Sequence, residues 1–236
     1  MLMASIRQWA RALAYTPLHP QWLLGRRKLP RGIAHAVGTL LDIGAADRWI
    51  EPLLTDSVEY VALDYPSTGK NLYGARPHVF GDAARLPFRS GCFEGVVCLE
   101  VLEHVTDPAS VLLEIARVLK PGGCAWISMP FLYPLHDAPF DFQRYTEYGL
   151  RRDVQGAGLD VMELRKSGHA IRAAGLLMCL AIAGGAYARR GWGRWMLLPV
   201  ALAGVFVINV LAWLASLVWP DWNHMGMGYE LEIRKL

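Results

Sequence analysis

Three clusters in the sequence have residue types and spacing that could do chemistry. The first is Thr39–Arg48, TLLDIGAADR, where an apolar run ends in Asp42 and small residues follow. Gly44, Ala45 and Ala46 let the backbone turn tightly and approach a ligand closely. Asp64 ends the next strand-like run, VEYVALD, about twenty residues further on, a spacing that suits an acidic side chain gripping ribose hydroxyls. The second cluster is LEVLEHV, in which Glu100 and His104 are four apart and share one face if the segment is helical. His104 is a candidate general base or pocket wall, and a structural histidine is the plain alternative. The third is FLYPLHDAPFDFQRYT, where His136, Asp137, Asp141, Arg144 and Tyr145 sit among Phe131, Tyr133, Phe140 and Phe142. An aromatic pocket edged by His, Asp and Arg suits a hydroxylated or phosphorylated acceptor. The alternative, a local i,i+3 ion pair of Asp141 with Arg144 that only fixes the loop, stays open.

The elements that must position these clusters alternate in type. Strands are expected at Leu40–Ile43, Val58–Leu63, His78–Phe80, Phe93–Cys98, Ala125–Met129 and Leu159–Leu164, and helices at Asp47–Leu54, Pro108–Leu119 and Thr146–Gly156. Asp107-Pro108 is a strong helix start, and Lys120-Pro-Gly-Gly a firm stop. This spacing predicts an α/β fold with a parallel sheet covered by helices on both faces. Loops past the carboxyl ends of such strands carry ligand groups. Gly228–Lys235, GYELEIRK, alternates like a strand at a half-exposed sheet edge.

Taken together, LLDIGAADR, ALDYP and GDAARLPFRSGCFEGVVCLEVLEHVTDPASVLLEIARVLKPGG resemble the class I S-adenosylmethionine-dependent methyltransferases, in particular the group containing the ubiquinone-biosynthesis methyltransferases. The resemblance covers residues 37–168 and the last strand. It implies a Rossmann-like, doubly wound, seven-stranded sheet with an antiparallel last strand, and S-adenosylmethionine as cofactor. By the same resemblance Asp42, Gly44 and Ala45 border the methionine part, while Asp64 and Tyr65 meet the ribose. Asp82 accepts from the adenine amino group, Ala83 supplies backbone contact, and Leu99 and Glu100 lie near the sulfonium. The glycine-rich loop departs from the family, which usually has a glycine where Ala46 or Arg48 stands. The loop after the fifth strand resembles the substrate loop of methyltransferases of cell-surface glycan and lipid pathways.

The whole chain has 236 residues and a net charge of +3, too modest to suggest nucleic acid. The charge is unevenly placed, because residues 1–41 carry Arg7, Arg11, Arg26, Arg27, Lys28 and Arg31 and no acidic residue. Such a basic arm favours an anionic partner, a membrane surface or a phosphorylated substrate, although no nucleic-acid reader motif accompanies it. Residues 5–14 have the pattern of a short helix. Ala173–Ala188 and Trp195–Pro220 hold no charged residue and flank a basic turn with Arg189, Arg190 and Arg194. The second run is long enough to cross a bilayer. Because a sheet strand follows, the chain must return to the side it left, and two crossings would carry three arginines across, against the positive-inside tendency. A hairpin dipping into or lying on the cytoplasmic leaflet is therefore expected, with Trp192, Trp195, Trp219 and Trp222 as interfacial anchors. A buried pair or an interface between two copies is the alternative. The expected organisation is an arm at 1–36, a methyltransferase domain at 37–168 and 226–236, and a hairpin insertion at 169–225. Cys92, Cys98, Cys124 and Cys179 form no CxxC pair and read as reduced core residues. No signal peptide is visible, and no ligand spacing suggests a metal. The expected activity is methyl transfer to an oxygen of a lipid-linked or lipid-like acceptor, with His104 or His136 as base. Carbon transfer to an isoprenoid quinone and a non-catalytic membrane scaffold are the alternatives.

Overall fold

The computed structural model describes residues 13–69 and 76–236. Seven strands form one sheet: β1 (Gly38–Ile43), β2 (Val58–Asp64), β3 (Val79–Phe80), β4 (Phe93–Leu99), β5 (Leu119–Pro130), β6 (Leu159–Ser167) and β7 (Gly228–Lys235). Their order is β3-β2-β1-β4-β5-β7-β6, with β1 parallel to β2 and β4, and β7 antiparallel to β5. The doubly wound sheet with its antiparallel last strand is thus present. Apolar runs become strands where both faces are covered; Leu40, Leu41 and Ile43 of β1 are almost fully buried. The reversal of strand order beside β1 puts the ends of β1, β2 and β4 at one switch point, where ligands bind in this architecture.

One face is covered by α1 (Pro108–Val118) and α2 (Glu147–Gly156). Asp107 caps α1 by accepting from the Ser110 N–H at 3.1 Å, and Thr146 caps α2 by accepting from Gly149 at 3.2 Å. On the other face, Ile33, Leu40, Ile50, Val97 and Trp126 form a second core.

Three expectations need correcting. The last strand, expected at a sheet edge, lies inside the sheet between β5 and β6. The helix over Asp47–Leu54 is replaced by turns and a single 3-10 turn at Glu51–Leu53. Ala46 (φ 44°) and Arg48 (φ 55°) take left-handed backbone, which an α-helix cannot accommodate. The fifth strand starts at Leu119 rather than Ala125: Leu119 pairs with Phe93, the register shifts, and Cys124 pairs with Gly95. The helix expected over 5–14 falls, except for its last two residues, outside the described residues. Cys98 and Cys179 are buried and Cys92 and Cys124 half-buried, all four with free thiols.

The chain divides into two compact units. The sheet unit comprises 28–131, 135–165 and 228–236; the second comprises 132–134, 166–227 and the described arm up to Arg27. The second unit is a helical hairpin of α3 (Ala170–Ala188) and α4 (Trp192–Val218), against which residues of the arm pack. Leu23 lies among Ala173, Leu176 and Ala212, and the Trp22 and Trp213 rings are 6.3 Å apart. Asn209 of α4, fully buried, donates to the Pro17 and His19 carbonyls at 2.7 and 2.9 Å. It also receives the Cys179 thiol at 3.4 Å.

Asn209→Leu removes a donor to the Pro17 carbonyl and one of two donors to the His19 carbonyl, which also accepts from the Trp22 N–H at 3.0 Å, a loss of about 1–3 kcal/mol. Limited proteolysis of this variant should cut within residues 13–25 at least several-fold faster than in the wild type, with the sheet unit unaffected.

Candidate functional site

The turn after β1 is held open by backbone geometry. Gly44 sits at φ 75°, where a Cβ would strike Val101, so only glycine fits. The Gly44 and Ala45 N–H groups both donate to the Leu63 carbonyl, at 2.9 and 3.1 Å, tying the β1 turn to the end of β2. Ala46 and Arg48, the two positions at which the family usually has a glycine, both adopt the backbone a glycine would. The side chains are changed but the turn is kept.

Asp64 lies at the end of β2 with its carboxylate oriented by backbone. One oxygen accepts from the Ala46 N–H at 2.8 Å and the other from Tyr65 at 2.7 Å. Each oxygen keeps a lone pair for a second donor, the arrangement a vicinal diol needs. Asp42 is buried at the end of β1, and the Tyr60 hydroxyl donates to it. Burial pushes the Asp42 carboxyl up to about 7, against that hydrogen bond. Tyr65 is exposed. Asp82 is exposed and accepts from the Ala84 N–H at 2.9 Å, beside buried Ala83. Leu99 ends β4, and Glu100 follows in left-handed backbone (φ 55°) with its carboxylate accepting from the Ser128 hydroxyl at 2.7 Å. A non-glycine residue held there costs about 1–3 kcal/mol and concentrates at sites where the strain is used.

The second and third clusters meet in one body. Glu100 and His104 do not share a helical face, because Leu102–His104 is only a 3-10 turn. The loop after β5 is stitched to that turn: Phe142 N–H donates to the Glu103 carbonyl at 2.8 Å, and Gln143 donates to the Leu102 and Val105 carbonyls. His104 Nδ1 lies 2.7 Å from the Phe140 carbonyl, which fixes Nδ1 as the protonated nitrogen. The His104 and His136 rings meet edge to face at 4.9 Å. His136 Nδ1 is 3.1 Å from an Asp141 oxygen that also accepts the His136 backbone N–H at 3.0 Å. Arg144 grips Asp141 through both terminal nitrogens. That bidentate bond holds the Asp141 carboxyl well below the usual carboxylate range although its side chain is 2% exposed. The i,i+3 pair therefore exists, and it also orients a histidine. Asp137 turns the loop in left-handed backbone (φ 48°), and the Tyr145 hydroxyl is committed to Asp153 of α2 at 2.8 Å.

Glu103 escaped the sequence reading. Its side chain is fully buried, neither carboxylate oxygen has a hydrogen-bond partner, and His104 Nε2 is 3.7 Å away. Burial, with Glu100 nearby, pushes its carboxyl up to about 8. Ligand atoms of Glu103, His104 and His136 lie within 4.8 Å of one another, a grouping with donors suited to a divalent ion. Sequence spacing did not reveal it, because His136 arrives from a different strand's loop. Tyr60, which holds Asp42, was also missed and has no sequence signal.

Residues 41–127 match the family model described as a methyltransferase domain. Over 134 residues the chain is 30% identical to the ubiquinone biosynthesis O-methyltransferase of Marinobacter nauticus, covering 52% of this chain and 56% of that protein. Over 139 residues it is 33% identical to the demethylmenaquinone methyltransferase of Renibacterium salmoninarum, covering 53% and 56%. The chain thus spans a little over half the length of these curated relatives. Among solved structures, a SAM-dependent methyltransferase from Archaeoglobus fulgidus superposes with a TM-score of 0.53 at 15% identity, covering 86% of this chain and 88% of that one. Haemonchus contortus phosphoethanolamine N-methyltransferase 2, solved with S-adenosyl-L-methionine, gives 0.51 at 15% identity, covering 97% and 59%. Both show a shared fold.

Arg144→Ala leaves the Asp141 charge buried with only a backbone donor and His136, a loss on the order of 3 kcal/mol. Because the folded value of Asp141 is depressed, its contribution is complete above the unfolded value of about 4 and is lost as pH falls below it. Urea midpoints measured from pH 7 to pH 2.5 should show that acid-side decline in the wild type and a shallower one in Asp141→Asn.

Proposed function

We propose that the chain is a class I S-adenosylmethionine-dependent methyltransferase and that it methylates an oxygen of a lipid-like acceptor, such as a lipid-linked glycan or a quinone, at a membrane surface. The observation that carries the reading is the His136–Asp141–Arg144 arrangement at the carboxyl edge of the sheet: a base with an orienting carboxylate beside the strand ends that hold the cofactor. S-adenosylmethionine supplies an electrophilic methyl group. Gly44, Asp42 and Asp64 fit its binding, because the turn admits only glycine and the Asp64 oxygens are aimed by backbone donors. The protein's own contribution is alignment and exclusion of water. His136, with Nδ1 turned to Asp141, keeps Nε2 as the basic nitrogen to take the acceptor hydroxyl proton. His104, fixed by Phe140, forms the adjoining wall. Asp82 and Ala83 are assigned to the adenine, and Leu99 and Glu100 to the reacting centre.

The lipid-like acceptor is supported by the relatives, whose names specify ubiquinone and menaquinone chemistry. It is supported also by the hairpin, whose two helices are long and apolar enough to cross a membrane. The windows that meet this test are 33% and 22% buried, which does not suit the core helices of a soluble protein. We assign the chain to the cytoplasmic side of the membrane, anchored by this hairpin. The quinone relatives also keep carbon transfer as the second reading.

Titration calorimetry of S-adenosylmethionine tests the cofactor assignment. Asp64→Ala should weaken binding by about 1.5–3 kcal/mol, roughly tenfold or more. Affinity should also fall as pH drops from 8 to 6, since Asp42 then loses the charge that partners the methionine ammonium, and Asp42→Asn should flatten that profile. A folded wild type that binds no cofactor would favour the scaffold alternative.

His136→Ala should lower methyl transfer from labelled donor to a catechol or lipid-linked hydroxyl acceptor by about 10²-fold or more with cofactor affinity unchanged. The position of the label in the product separates oxygen from carbon transfer.

A further inference from the structure

The free surface of the hairpin has no polar side. On α4 between Trp192 and Asn209, residues exposed by 40–86% include Trp192, Trp195, Leu197, Val200, Leu202 and Phe206, and they wrap more than half of the circumference at about 3.6 residues per turn. The remaining arc carries the residues packed inward, among them Ala201, Val205, Asn209 and Ala212. A helix lying flat in an interface keeps a polar face toward water. This stretch is apolar on every free side, the pattern of a helix surrounded by lipid rather than lying on it.

The arm sets how far that immersion extends. Pro17 and His19, held by Asn209, bring polar backbone and the side chains of Thr16, His19 and Gln21 against the base half of the hairpin. Irregular backbone of this kind does not enter hydrocarbon facing lipid. From Asn209 to Trp192 the helix runs about 25 Å at 1.5 Å per residue. With the reach of arginine and tryptophan side chains, that length approaches the hydrocarbon thickness of about 30 Å.

The helices pair with Gly175 against Ala212, Cys179 against Val205, and Gly204 facing Ile182. By that register Ala188 is level with Pro199, so the first two turns of α4 project beyond α3. This tip holds Trp192, Trp195 and Met196 and the basic residues Arg189, Arg190 and Arg194, and no acidic residue occurs between Ala170 and Pro220. Arg194 closes the turn by donating to the Tyr187 and Arg189 carbonyls. Aromatic rings and arginines without acids are the composition of a segment seated among lipid phosphates. Cations stand at both ends, with Lys166 and Arg172 at the base bonded to Asp221 and Ser216, and a full crossing departs from the leaflet-bound hairpin expected from charge alone.

Resting on the membrane reading above, we infer that the hairpin stands upright through the bilayer, with its arginine-tryptophan tip in the far headgroups and the arm as a collar in the near headgroups at the level of Asn209. The occupant of the apolar surface is lipid, and α4 between Trp192 and Asn209 crosses the hydrocarbon.

The test uses the full chain reconstituted in phosphatidylcholine–phosphatidylglycerol vesicles. Cys92→Ser and Cys124→Ser remove the two half-buried thiols, and Trp192→Cys, Val200→Cys or Val207→Cys then carries a fluorophore. Nitroxide lipids quench at the headgroup, shallow-acyl or deep-acyl level. The expected result is at least twofold stronger deep-acyl than shallow quenching at Val200, and the reverse at Trp192 and Val207. Shallow quenching at all three sites means that the hairpin lies flat, which overturns the inference and leaves the membrane reading standing. No lipid quenching at any site, with crosslinks between hairpins, means that a second copy covers the surface and both readings fail.

Discussion

The sheet unit depends on how Asp64 is held. A buried carboxylate at a strand end is costly unless its oxygens are used. Here the Ala46 and Tyr65 N–H groups use them, from the turns that follow β1 and β2. Because the Ala46 bond requires the left-handed turn, and that turn requires glycine at 44, backbone shape and side-chain chemistry are set together. The two donors also remove the side chain's rotational freedom before any ligand arrives. On the proposed cofactor reading, a ribose would meet a carboxylate whose ordering has already been achieved in folding.

The same logic runs through the loop after β5, which is bound to the turn after β4 by Gln143, Phe142 and His104. Asp141 is the centre of that body. It holds the His136 backbone, the His136 ring and the Arg144 fork at once. A local ion pair and a carboxylate that orients a histidine are usually weighed as alternatives, and here Asp141 both pairs with Arg144 and holds the His136 ring. The strength of the pair keeps Asp141 ionised, and an ionised carboxylate is what steadies the imidazole as it takes on a proton.

Much of this was legible in the sequence because it is local. The strand ends at Asp42 and Asp64, the cap at Asp107 and the strand character of Gly228–Lys235 are all written in neighbouring residues, and the structure bears them out. The helix after the first turn was misread because left-handed backbone at Ala46 and Arg48 leaves no mark in residue type; glycine there would have announced it. Glu103 was missed because its burial comes from a loop more than thirty residues away in sequence. Tyr60 reaches Asp42 only through strand pairing, which composition does not display.

Asn209 is the instructive intermediate. A single amide inside VFVINVLAWLASLVW is visible as a polar residue in an apolar run, and its meaning depends on what surrounds it. An unsatisfied amide would be expensive in either protein or lipid, so its partners are obligatory. The partners are two carbonyls of an arm that the sequence presents as a separate basic extension. Once those bonds are made, the described residues 13–27 of the arm pack as part of the hairpin's unit. The hairpin itself carries Arg189, Arg190 and Arg194 at its tip and no acidic residue from Ala170 to Pro220. Such an element is favoured next to a negatively charged surface and disfavoured against another copy of itself, since juxtaposing two tips would bring six arginines together without a counter-charge.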